Sequence, residues 1–490
     1  MDKLSFEKHQ KYVDFYKARF DEASNKGAAE EEFWGLGIEN ESYMMFQEMD
    51  TVSKVFIQKK HVAERYSVEY WKNFRSLELI SALEGLPDTI KIPVYINSYF
   101  FRHADLLGEH TMTYSKNPQP NPQFSGETID EYIRRVSPTF NRLMEKNLIY
   151  DGDTFEFTTF HFYRATVQSV IKELVTVKRI FLEEMNRRIV SKFTIFKQPL
   201  IYPPHNYGFA KFLSNPLNVA TCNNATYHIN ITLPTKLGKS GTILNQEQFK
   251  AQHANAMRAI QWIEPFLVCL YGTPDILHAL DPAYSAGSQR LTLSRYIGLG
   301  TYDTSKMEKG KLLDTFKHGP DNSYFTNMHN GSPYKPPETI GYDFNYNKFK
   351  NHGIEVRIFD WFPEEHLESV MNLLVLLCQH SLHHTVEDPR ECSVWMDFCA
   401  TSIRQGSSAS VTSAVYLKLS EVFTFSTASC WPFYFNKSPA TILDKVAGYL
   451  YKKYRSDTLC AKMSPNMKPI QFTNYNGQVT KVFKAMVGKN

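Results

Sequence analysis

In Gly37-Ile38-Glu39-Asn40-Glu41-Ser42 a carboxylate recurs at every second position. Side chains on a strand alternate between faces, so a strand here sets Glu39 and Glu41 on one side, roughly 6.6 Å apart. Three further stretches share the period. Phe155-Glu156-Phe157-Thr158 puts Glu156 and Thr158 opposite two phenylalanines; Tyr227-His228-Ile229-Asn230-Ile231-Thr232-Leu233 sets His228, Asn230 and Thr232 against four apolar residues; Ile354-Glu355-Val356-Arg357-Ile358 sets Glu355 and Arg357 against three aliphatics. Each alone reads as an amphipathic strand with one face in water. Together their polar faces carry four glutamates and no lysine, although lysine is the usual dressing of an exposed strand. In a shared sheet those carboxylates repel unless a cation neutralises them, a task suited to hard divalent ions with oxygen ligands. The expected fold class is α+β: one curved antiparallel sheet whose polar face lines a funnel, with helices packed on the apolar face.

Helical periodicity supplies those helices. Phe162 to Lys192 carries Val167, Val170, Ile171, Leu174, Val177, Phe181, Met185 and Ile189 at spacings of three and four. Gln246 to Tyr271 repeats the pattern, with Pro265 expected to kink it. A third helix is expected from about Pro363 to Leu382, where Glu364 and Glu365 suit a helix N-terminus. Asn117 to Gly126 and Gly319 to Pro337 read as long connections, and Gly406 to Ser413 as the start of a C-terminal helical lobe. The domains expected are 1–413 and 414–490.

The chain has 490 residues, 42% hydrophobic and 14% aromatic, enough to bury a large core. A net charge of +4 spread along the chain, without a basic block, implies neither nucleic acid nor a lipid surface as partner. The first twenty residues are charged throughout, unlike a secretory signal, and the apolar run Val370 to Cys378 is too short to span a bilayer. Seven scattered cysteines, an odd number, read as reduced, and a cytoplasmic location is expected. Cys378, His380, His383, His384, Cys392 and Cys399 lack the CxxC spacing of a structural metal site and carry little weight as one. Walker-type, complete GxGxxG and HExxH motifs are absent, which leaves P-loop, dinucleotide and zincin readings unsupported.

The four strand motifs resemble the carboxylate–amine ligase superfamily that includes glutamine synthetase and glutamate–cysteine ligase. Gly37, Glu39 and Glu41 match its GxExE strand; Glu156 in FEFTT matches its E-F-x-T; His228, Asn230 and Thr232 match HxNxS/T; Glu355, Arg357 and Asp360 match E-x-R followed by D, all in family order. Gln261 to Asp275 and Ser288 to Asp303 resemble ligase-like proteins of large DNA viruses. One departure stands out: the further acidic ligand that family members carry before the E-F-x-T glutamate has no match at the same offset, and Asp151 or Asp153 is the available substitute.

The resemblance implies a sheet of that family's type. It also implies Mg²⁺ or Mn²⁺ held by Glu39, Glu41, Glu156, His228 and Glu355, with ATP as cosubstrate. Asn230 and Thr232 then lie on the substrate and nucleotide side. Arg357 binds the transferred phosphate, with Arg290 and Arg295 as further phosphate contacts. His103, Glu109 and His110 are candidates for the substrate side. The expected reaction is amide or peptide bond formation between a small-molecule or peptide carboxylate and an amine, through an acyl phosphate. Two alternatives stay open: a phosphotransferase of the same fold, and a structural virion component that keeps the fold. The substrates and the oligomeric state are not legible in the sequence.

Overall fold

The computed structural model describes residues 14, 17–24, 32–47, 93–112, 119–192, 198–207, 209–221, 225–238, 241, 243–280, 282, 285–289, 353–427 and 436–488. Strands β1 (Phe33–Ser42), β2 (Met44–Phe46), β3 (Val94–Ile96), β4 (Leu148–Asp151), β5 (Thr154–Thr158), β6 (Leu200–Ile201), β7 (Phe209–Phe212), β8 (Asn215–Thr221), β9 (Thr226–Thr235) and β10 (Ile354–Asp360) form two five-stranded sheets. The stretches that alternate in sequence are β1, β5, β9 and β10. They share one antiparallel sheet, ordered β10-β9-β1-β5-β4. The second sheet, ordered β6-β2-β3-β7-β8 and containing one parallel pair (β3 with β7), was not expected. Its leading strands β2 and β3 are three residues long and apolar throughout, so they carry no period-two signal. The chain enters it from β1 across the single residue Tyr43.

The helices are α1 (Ser98–His103), α2 (Ile129–Val136), α3 (Pro138–Lys146), α4 (Val167–Arg188), α5 (Gln246–Tyr271), α6 (Leu367–His383), α7 (Ser393–Gln405), α8 (Ser413–Phe423), α9 (Pro439–Tyr454), α10 (Thr458–Met463) and α11 (Tyr475–Met486). On the apolar side of the site-bearing sheet, α4 packs on β1 and β5, and α5 packs on β9 and β10. Behind them α6 is buried from Val370 to Ser381, between α4 and α5 on one side and α9 and α10 on the other. The described helices from 414 onward therefore pack into the same hydrophobic core as the sheet. None of the described helices is long and apolar enough to cross a membrane.

Two helix starts lie later than expected, for local reasons. Thr166 caps α4 reciprocally with Ser169, so the helix begins at Val167 while Phe162 stays with the sheet. After Pro363 a 3-10 turn, Glu364–His366, intervenes before α6 begins at Leu367. Pro265 does lie inside α5. A proline there has no N–H for the carbonyl of Gln261, and the indole Nε1 of Trp395 on α7 donates to that oxygen instead at 3.0 Å. The same device thus fixes α7 against α5.

His253 locks α5 to the sheet. Its Nδ1 lies 2.7 Å from Phe249 O, and Leu233 N donates to its Nε2 at 2.9 Å, so the neutral ring satisfies both neighbours and a proton on Nε2 would face another donor. Burial accordingly lowers its pKa to about 4, and burial likewise lowers that of His380 to about 4. Between pH 4 and 6.5 the unfolded chain then binds protons at these rings that the folded chain does not. Their contribution is full above pH 6.5 and is lost as pH falls towards 4, by at most about 3 kcal/mol per ring. Urea denaturation at pH 7, 6 and 5 should show stability falling with pH, and His253→Gln should show a shallower fall.

Gly35 and Gly37 carry a second constraint. A Cβ on Gly35 would lie 2.1 Å from the Phe162 ring, and one on Gly37 2.8 Å from it. Phe162, Phe33, Tyr163 and Phe20 form a small aromatic cluster over this end of β1. Gly35→Ala should lower stability by about 1–3 kcal/mol, the usual cost of overpacking, measured by chemical denaturation.

Candidate metal centre

Strand register decides which polar side chains meet. Glu39 stands opposite His228, Glu41 opposite Glu156, and Glu355 opposite Asn230. The strands β4 and β5 are joined through Gly152, whose φ of +57° is glycine's territory and whose surroundings are open, so the turn and not packing requires it. That turn leaves Asp151 at the end of β4, diagonal to Glu156.

Two groups of ligand atoms result. Glu39, His228 and Glu355 form one, and Glu41, Asp151 and Glu156 the other; within each group the atoms lie within 4.8 Å of one another. His228 joins the groups, since its Nδ1 is 3.2 Å from Glu39 Oε2 and 3.7 Å from Glu355 Oε1 while its Nε2 is 3.8 Å from Glu41 Oε1. Asn230 Nδ2 donates to Glu39 Oε1 at 3.1 Å, so Glu39 is held at both oxygens. Arg357 Nη1 donates to Glu355 Oε1 at 2.6 Å. The deeper group holds Glu355 at 1% exposure and a buried His228 with Glu39 half-buried; in the other, Glu156 is buried, Glu41 half-buried and Asp151 exposed. The donor set is carboxylate oxygen with one imidazole and no thiolate, which suits hard divalent cations.

All five residues expected to hold metal are in these groups, and of the two substitute acids Asp151 joins them. Asp153 turns away: its carboxylate accepts from Asn97 Nδ2 at 3.4 Å and Tyr43 Oη at 3.5 Å, and burial raises its pKa. Arg357 and Asn230 stand at the deep group, whereas Thr232 lies further along β9, opposite Gly35, with its hydroxyl buried. Arg290 and Arg295 fall outside the described residues. Asp360 has a supporting part: its Oδ2 accepts from Thr273 N at 2.8 Å and Ser288 Oγ at 2.7 Å, which ties the segment after α5 to the end of β10.

Of the other candidates, His103 and His110 line up with Tyr99, with ring centroids 4.2–5.9 Å apart, and burial lowers both histidine pKa values. Glu109 gives its backbone to a turn with Asp105. The cysteine and histidine set forms no metal group among the described residues. His380 is engaged by Tyr454 and Val422, His383 pairs with Asp457, and burial pushes the Cys378 thiol up to about 12, away from the thiolate a metal needs. Sequence reading gave no role to Asn40 or Lys178 and took Glu364 only as an acid suited to a helix N-terminus; the three meet behind β1. A lysine four residues after Leu174 and three before Phe181, on a stripe that is otherwise apolar, was the available signal.

The fold and site together define an α+β protein with a carboxylate-rich, histidine-centred cluster on one face of an antiparallel sheet. The chain is 36% identical over 455 residues to a protein of Acanthamoeba polyphaga mimivirus described as "Uncharacterized protein R704", covering 91% of this chain and 79% of that one. It belongs to the same family as that mimivirus protein. No family model and no solved structure matches it.

Like charges directly opposite on paired strands destabilise a sheet by up to about 1 kcal/mol. Glu156→Gln should therefore raise the melting temperature in chelator, and should reduce the upward shift expected in the parent on adding Mg²⁺ or Mn²⁺, read in paired thermal scans. A lower melting temperature in chelator would mean that Glu41 and Glu156 do not repel in the folded protein.

Proposed function

We propose that this protein is an ATP- and divalent-cation-dependent carboxylate–amine ligase on a sheet of the glutamine synthetase and glutamate–cysteine ligase type. The observation that carries this reading is the convergence of Glu39, Glu41, Glu156, His228 and Glu355, drawn from four strands far apart in sequence, beside Arg357 on one face. An ordinary solvated sheet face has no reason to gather carboxylates from four of its five strands and bury the deepest at 1% exposure. The sequence resemblance and the donor chemistry support Mg²⁺ or Mn²⁺ at these residues, where a bound cation would screen the triphosphate. The mimivirus relative supports a viral origin and action in host cytoplasm or a virion.

A carboxylate does not condense with an amine at neutral pH because its oxygen is a poor leaving group. In the proposed reaction the substrate carboxylate oxygen attacks the γ-phosphorus of ATP and the bond to ADP breaks, giving an acyl phosphate. The amine nitrogen then attacks the acyl carbon, phosphate leaves, and the nitrogen gives up a proton. Arg357 contributes a planar fork of donors matched to a phosphoryl group in flight. Asn230 fixes the orientation of Glu39 through its amide.

The test is product analysis with panels of carboxylates and amines. ADP and phosphate should appear only when both substrates are present. A stable phosphorylated product would identify a phosphotransferase instead, and absence of both turnover and Mg²⁺–ATP stabilisation would leave the structural-component reading. Arg357→Lys keeps charge but loses the fork, so turnover should fall on the order of 10²-fold with Mg²⁺–ATP affinity nearly unchanged. Glu355→Ala should weaken that affinity. Near-normal turnover in Arg357→Lys would reduce Arg357 to an ion-pair partner of Glu355.

A further inference from the structure

Asn40 stands between Glu39 and Glu41 but points to the opposite face of β1, where a polar side chain is out of place, and it is fully buried. Its amide is used on both sides. Oδ1 accepts from Lys178 Nζ at 2.7 Å and from Ser42 Oγ at 2.9 Å, while Nδ2 donates to Thr226 O on β9 at 2.9 Å and to Glu41 O at 3.3 Å. Lys178 reaches this point from α4 with only 3% of its surface exposed. Its ammonium is 4.6 Å from the Tyr202 ring centroid and 5.9 Å from that of Trp361, and it is paired with Glu364. Glu364 belongs to the turn that follows β10.

A buried ammonium is costly unless its hydrogen bonds are met. Here it also accomplishes something no apolar residue would. Because an ammonium only donates, it forces Asn40 Oδ1 towards α4 and thereby Nδ2 towards the β9 backbone. We propose that Lys178, Asn40 and Glu364 are positioning residues for the cluster on the other face. They fix β1 against β9 at the level where Glu41 faces Thr226, and tie both strands to the chain leaving β10, so that Glu39, Glu41, His228 and Glu355 are presented in one arrangement. This rests on the metal reading above in so far as metal binding reports it.

The experiment compares the full-length parent with Lys178→Met and with Lys178→Met/Glu364→Gln, by melting temperature, Mn²⁺ titration, and hydrogen exchange of residues 39–42 and 226–230 in chelator. The single variant strands the Glu364 carboxylate and should melt lower. The double variant removes both charges and should recover most of that loss. Both variants should bind Mn²⁺ about tenfold more weakly and exchange faster at those two segments. Mn²⁺ affinity that recovers along with the melting temperature would overturn the proposal, leaving the network a role in stability alone. If the parent itself binds no Mn²⁺, the metal reading fails, and exchange then decides: unchanged rates at 39–42 and 226–230 overturn the positioning role, and faster rates uphold it.

Discussion

Glu41 and Glu156 face each other across paired strands, and the backbone ladder leaves them no way to part. A strand's register is set by everything that packs on its buried side, and a slip of one residue would exchange its faces. Ile38, Phe155, Phe157, Ile229, Ile231, Val356 and Ile358 are buried on the helix side, so the acids on the other side have their places assigned by hydrophobic packing. Repulsion at the polar face is thus maintained by attraction at the apolar one, and the chemistry of the cluster follows from that opposition.

The apolar face is not uniformly apolar, and its exceptions have identifiable work. Asn40 and Lys178 link β1 to β9 and α4, and His253 links α5 to β9 as a neutral ring. Pro265 gives up one helical hydrogen bond, and Trp395 takes the freed carbonyl. Each of these departures from the pattern joins two elements that the sheet would otherwise leave to slide. The C-terminal helices take part in the same way. Asn476 Nδ2 donates to Gly272 O and Ala286 O, both at 2.8 Å, and so fastens α11 to the segment after α5.

The sheet face was legible because four strands combined period-two alternation with one kind of side chain. Strand alternation needs no knowledge of what packs against it, and the acids at Glu39, Glu41, Glu156 and Glu355 kept to one phase. Long amphipathic helices were legible for the same reason. Helix starts were read too early because caps such as Thr166 depend on one side chain and not on a period. Nothing in the sequence separated Asp151 from Asp153, because the difference is that Asp151 ends β4 while Asp153 lies inside the two-residue turn, and what each meets there. The second sheet escaped because β2 and β3 are short, buried throughout and alternate nothing, and Lys178 escaped because a lone charge in an apolar stripe looks like a break in the pattern.

The turn at Gly152 has a further consequence. Asp151 and Glu156 belong to the hairpin β4–β5, and among the described residues β4 is the edge strand of its sheet, bonded to a neighbour on one side only. An edge hairpin is the piece of a sheet that opens at least cost. Here α1 grips its tip, where Ser98 N donates to Asp153 O at 2.9 Å and Arg102 Nη2 to Gly152 O at 2.7 Å. Asp151, the most exposed acid of the cluster, therefore rides with Glu156 on a tethered flap, so its breathing and the ionic state of the cluster are thermodynamically linked: whatever relieves the charge also shuts the flap.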